Sequence, residues 1–102
     1  MTDHAARLDA LLGEMPIVAI LRGIRTDEAL AVVEALFEAG IRIAEVPLNS
    51  PDPFATIALL AERFGARMTI GAGTVTDPAE VRRLADCGGT LCIRNTFAPI
   101  VL

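Results

Sequence analysis

A short apolar run, a turn and a helical segment recur along this chain, with a period of about 25 residues. Ile17 to Leu21 is a continuous apolar run between Pro16 and Gly23, and it reads as a strand buried on both faces. Ile43 to Val46, Met68 to Ile70 and Leu91 to Ile93 repeat the pattern. Between the runs lie segments with apolar residues at helical spacing: Leu30, Val33, Leu36 and Phe37; then Phe54, Ile57, Leu60, Ala61 and Phe64; then Val81, Leu84 and Ala85. Leu8, Leu11 and Leu12 predict a leading helix over residues 2–13. The order is α-β-α-β-α-β-α-β. Strands alternating with helices demand parallel pairing, because each helix carries the chain back to start the next strand in the same direction. Doubly wound sheets and (β/α)8 barrels both begin this way.

The punctuation agrees with the period. Thr26 is positioned to cap the second helix, with Asp27 and Glu28 in its electropositive first turn. Ser50 followed by Pro51 predicts the start of the third. Asp77-Pro78-Ala79-Glu80 forms a capping box with proline at the first helical position. Gly40, Gly65 and the Gly88-Gly89 pair stand where the helices end. There is neither a linker nor a low-complexity tract, and 102 residues allow one domain.

Composition narrows the function classes. Hydrophobic residues are 53% of the chain and aromatics 4%. This suits helices on a buried parallel sheet and argues against disorder. A net charge of -4 weighs against a phosphate-backbone partner, so no nucleic acid is expected. The longest apolar run, Met15 to Leu21, falls far short of the roughly 18–20 residues that span a bilayer, and no membrane is expected. Met1 to His4 lacks the basic-then-apolar order of a signal peptide, so the expected location is cytoplasmic. Cys87 and Cys92 read as reduced thiols, and with His4 as the sole histidine they make no convincing metal site. A histidine-based triad fails for the same reason. No cofactor is expected.

In parallel α/β folds ligands bind at the carboxyl ends of the strands. Here those positions hold Arg22, Glu45, Asn49, Thr74 and the pair Arg94-Asn95. Glu45 stands inside an apolar strand. If buried, it loses hydration and its pKa rises toward the range useful for proton transfer; equally, it fits an exposed strand edge or a structural pair with an arginine. Arg22 offers a fork of donors to a carboxylate or phosphate, or a structural ion pair, for which Glu45 itself is a candidate. Gly71-Ala72-Gly73-Thr74 lets backbone approach a ligand closely. It fails as a dinucleotide fingerprint because Thr76 occupies the third glycine position, and as a P-loop because no Gly-Lys pair follows.

Three segments together resemble a known family: Pro16 to Ile24 (PIVAILRGI), Ala44 to Pro51 (AEVPLNSP) and Ile70 to Val75 (IGAGTV). In this order and at these separations they are similar to the 2-keto-3-deoxy-6-phosphogluconate and 6-phosphogalactonate aldolases. The resemblance spans residues 14–93. Asn49 and Arg22 bring it nearer the galactonate branch, whose motif is Leu-Asn-Ser-Pro with an arginine after the first strand. The resemblance implies a (β/α)8 barrel, usually a homotrimer. It also implies a metal-free class I aldolase that cleaves a phosphorylated keto-sugar acid to pyruvate and glyceraldehyde 3-phosphate through a lysine Schiff base. Carried over by position, Glu45 is the catalytic proton shuttle, and Arg22 and Thr74 bind substrate at its carboxylate end.

The chain departs from that pattern in one decisive respect: its nine basic residues are all arginine, and there is no lysine. In the family the Schiff-base lysine lies on the sixth strand and the phosphate pocket follows the seventh and eighth. This chain carries about four strands, and from Arg94 onward the family pattern fades. The expectation is an incomplete barrel, truncated or frame-shifted near residues 93–95, and inactive by itself. The alternatives are a keto-acid-binding module without turnover and a non-functional gene product. A half barrel leaves two strand edges unpaired, so self-association is also expected.

Overall fold

The computed structural model describes residues 3–93 and the backbone of 99–101. Helix α1 (His4–Glu14) is followed by β1 (Val18–Ile20), α2 (Thr26–Glu38), β2 (Ile43–Pro47), α3 (Pro53–Phe64), β3 (Thr69–Gly73), α4 (Pro78–Asp86), β4 (Leu91–Ile93) and β5 (Pro99–Val101). The strands form one sheet in the order β1-β2-β3-β4-β5. The first four pair in parallel, with Glu45 opposite Ile20 on one side and Gly71 on the other.

Strand order and helix placement decide between the two architectures left open by the period. A doubly wound sheet reverses its strand order and puts helices on both faces. Here the four parallel strands follow chain order, and α2, α3 and α4 all pack on one face. Their Ala29, Val33, Ile57, Leu60, Phe64 and Leu84 share a core with Ala44, Val46, Ile70, Ala72 and Cys92 of the sheet. That is the winding of a barrel, with the α2–α4 layer outside. Side chains alternate along a strand, so Val18, Ile43, Leu91 and Ile93 point to the other face, where Leu8, Leu11 and Leu12 of α1 cover them. Beyond this cover, toward the carboxyl ends of the strands, the same face carries Glu45.

Several local expectations are corrected. The first strand is not buried on both faces: Ile20 is 58% exposed and Ile17 47%. Among the described residues strand β1 pairs only with β2, which leaves its outer edge open there. Thr26 does not cap α2. The cap position is Arg25, whose backbone amide donates to Glu28 Oε1 at 2.9 Å; the Thr26 hydroxyl instead meets the Thr56 hydroxyl of α3 at 2.7 Å. Helix α3 begins at Pro53, not Pro51, after Asp52 in a left-handed conformation with φ 44°. The Asp77 capping box forms as expected, its side chain accepting from the Ala79 amide at 2.9 Å. The third strand, expected over Met68 to Ile70, runs on through Gly71, Ala72 and Gly73. Finally, β5 pairs antiparallel with β4 in the register Cys92 to Ile100. The edge of β4, expected to be bare, is therefore paired, as is usual for an otherwise open strand.

Candidate functional site

Strand β2 is buried at all five positions, because it is central, with β1 and β3 on either side and helices behind. Glu45 is consequently only 4% exposed. Among the described residues its Oε2 has no hydrogen-bond partner, an unusual state for a buried polar atom. Burial pushes the Glu45 carboxyl above the ordinary carboxylate range, and the positive charge of Arg22 opposes this only in part. Of the readings open to this residue, the exposed-edge one is thus excluded. So is a direct structural pair: the ion pairs among the described residues join Arg25 to Asp27 and Glu28, and none reaches Glu45.

Arg22 sits on the exposed turn after β1, close enough to act on Glu45 through its charge. That turn is closed by the Ile24 amide donating to the Leu21 carbonyl at 3.3 Å, with Gly23 at φ 73°. Ser50 anchors it from the neighbouring loop, its hydroxyl accepting from the Gly23 amide at 3.1 Å. Ser50, expected as a helix cap, is instead a buried tie between the loops after β1 and β2. Its sequence signal, Ser-Pro, is shared by caps and loop ties alike, so spacing alone does not separate them.

Thr74 follows β3 directly. It holds φ 59°, a left-handed conformation rare for a β-branched residue. Such backbones cost on the order of 1–3 kcal/mol and concentrate at functional sites. The residue is half-buried. After it the Val75 amide reaches across to the Ile93 carbonyl at 3.2 Å. Thr74 therefore stands at the carboxyl end of the strand beside Glu45. Asn49 lies on the exposed turn after β2. Arg94 and Asn95 lie outside the described residues. Among the described residues no three His, Cys, Asp or Glu side chains are grouped to hold a metal ion, and no helix is long and apolar enough to cross a membrane. The arrangement combines a desolvated carboxyl whose protonated form is favoured by burial, a nearby cation and a hydroxyl at the same sheet end.

Known proteins resemble this chain in sequence and fold. The family model for KDPG and KHG aldolase matches residues 8–101, extending beyond the motif-bearing span at both ends. The probable 2-dehydro-3-deoxy-6-phosphogalactonate aldolase of Rhizobium meliloti is 48% identical over 89 residues, 87% of this chain and 42% of the relative. The 2-dehydro-3-deoxy-6-phosphogalactonate aldolase of Escherichia coli is 45% identical over 78% of this chain and 39% of its own length. Among solved structures, one described as native KDPGal superposes with a TM-score of 0.80 at 42% identity, over 83% of this chain and 41% of the other. The KDPG aldolase of Legionella pneumophila, solved with pyruvate captured as a covalent carbinolamine intermediate, gives a TM-score of 0.77 at 29% identity, over 87% of this chain and 43% of the other. This chain thus spans less than half the length of these relatives. Its four parallel strands and alternating helices correspond to the N-terminal part of their barrel, and the chain belongs to the KDPG and KHG aldolase family.

Proposed function

We propose that this chain carries the proton-transfer and keto-acid-recognition part of a phosphogalactonate-type aldolase site. The observation that supports this most is Glu45, nearly fully buried on an interior strand, with one carboxyl oxygen unpartnered among the described residues. In this reading the neutral Glu45 acid gives a proton to the hydroxyl that leaves when a keto acid condenses with an amine. As the base it then accepts the proton released when the carbon–carbon bond breaks. Arg22 supplies charge to the substrate carboxylate and Thr74 a hydroxyl donor. The substrate is a phosphorylated keto-sugar acid, with pyruvate as its keto-acid product and glyceraldehyde 3-phosphate as the other.

The imine that serves as electron sink requires an amine, and the chain has no lysine. These 102 residues bind a keto acid without turning it over, and turnover needs an amine from outside them. The expected setting is cytoplasmic and self-associated. Borohydride reduction in the presence of pyruvate tests the reading: no covalent adduct forms on this chain, while pyruvate shifts the backbone amide resonances of Gly73 and Thr74. A stable adduct on this chain alone would refute the claim that the amine is absent. Failure of pyruvate to perturb Thr74 would remove the recognition role and favour a remnant without function.

A further inference from the structure

The geometry points to Gly73 as a positioning residue for Glu45: the side chain missing at 73 is the space the carboxyl occupies. This rests on the reading of Glu45 as the proton carrier and concerns how that carboxyl is held. Gly73 lies diagonal to Glu45 across the β2–β3 pair, one alternation beyond Gly71, which is directly opposite. The two glycines exclude a side chain for different reasons. A Cβ at Gly71 would overlap the backbone and side chain of Leu91, so Gly71 permits the close approach of β4. A Cβ at Gly73 would meet nothing nearer than the Glu45 carboxyl, lying 2.5 Å from its Cδ and 2.6 Å from Oε1, with Oε2 nearer still.

Backbone conformation gives no competing reason for glycine at 73. The glycines with positive φ are Gly23, Gly40 and Gly88, and Gly73 is ordinary strand. Glycine inside a strand weakens it, so its place here calls for another cause, and the Glu45 carboxyl is the group that fills the gap. The group displaced by a methyl at 73 is the far end of a flexible side chain, so the strand can persist while the carboxyl moves. Gly73 thereby keeps Glu45 lying along the sheet, shielded from water, at the strand end where Thr74 follows.

The test compares four variants, Gly73→Ala, Glu45→Ala, the double Gly73→Ala/Glu45→Ala, and Gly73→Ala/Glu45→Asp, with the parent chain. Urea unfolding reports stability, and carbon-13 resonances of residue 45 report its titration. In Gly73→Ala the Glu45 carboxyl is expected to titrate lower, nearer an ordinary glutamate, as it moves toward water. Pyruvate affinity is expected to fall roughly tenfold or more, as for a displaced functional group. Gly73→Ala is expected to leave stability unchanged in the Glu45→Ala background, where the space is free. In the Gly73→Ala/Glu45→Asp variant the shorter side chain is expected to recover part of the raised titration. Unaltered Glu45 titration in Gly73→Ala, or an equal loss of stability in both backgrounds, would overturn the proposal. If Gly73→Ala alone does not fold, folding of the double variant Gly73→Ala/Glu45→Ala supports it, and failure of that variant too refutes it. If the parent chain binds no pyruvate, the recognition reading fails while the titration still decides the role of Gly73.

Discussion

At the scale of single residues, the buried carboxyl of Glu45 has a consequence for stability. Its folded pKa is raised by burial, whereas in the unfolded chain it titrates near the ordinary glutamate value of about 4.3. The native state therefore binds more protons than the unfolded state between these two values. Glu45 favours folding fully below the unfolded value, and that contribution is lost as pH rises through the raised folded value. Glu45→Gln removes the titration while keeping the shape. The variant is expected to be more stable than the parent at neutral pH, with the gap narrowing as pH falls toward about 4, measured by urea unfolding across that range. A gap that widens on acidification would contradict burial as the dominant cause. The unusual character of Glu45 is legible in the sequence, since a carboxylate interrupts an apolar run. That Oε2 finds no partner among the described residues is not, because that depends on which side chains the neighbouring strands bring to the same face.

At the scale of elements, local side-chain caps set the starts of α1 and α4, while the hydroxyl expected to cap α2 is taken up by packing. Asp77 caps α4 through its own side chain with Glu80 reciprocating, an interaction contained within four residues. Thr26 has the right chemistry for a cap, yet its hydroxyl is drawn to Thr56 on α3. Thr56 is fully buried and its hydroxyl also reaches the Asp52 carbonyl at 3.3 Å. Each hydroxyl has one hydrogen, so Thr56 donates to Asp52 and Thr26 donates to Thr56. Asp77→Ala is expected to cost about 1 kcal/mol and to add independently to either threonine change. Thr26→Ala and Thr56→Val are expected to be non-additive by about 1 kcal/mol, since each removes the same bond. Thermal or urea unfolding of the single and double variants reads both results, and simple additivity of the threonine pair would count against the bond.

At the scale of the whole molecule, the two sides of the sheet differ. The β4 side carries β5, while among the described residues nothing pairs with the outer edge of β1, with Ile17 and Ile20 exposed there and Val32 exposed on the helix that follows β1. Unpaired strand edges with apolar side chains pair with other chains. The expected behaviour is concentration-dependent association in sedimentation. The combination Ile17→Lys with Ile20→Thr is expected to weaken it by adding an edge charge and removing apolar surface. A single, concentration-independent monomer for the parent chain would refute this.

The sequence by itself determined the alternation of strands and helices, the parallel pairing, the α4 cap and the positions of Arg22, Glu45 and Thr74 after or within their strands. These follow from periods of two and 3.6 residues and from turn chemistry, all of which act over a few neighbouring residues. The period left barrel and doubly wound sheet open; the family resemblance implied a barrel, and the tertiary structure bears that out through one-sided helix packing and sequential strand order, which are relations between distant segments. Only the tertiary structure decided that Ser50 ties two loops, that Thr26 bonds across to α3, and that the gap at Gly73 is filled by a carboxyl. Each of these depends on which atoms the sheet register sets side by side, a quantity that no local pattern contains.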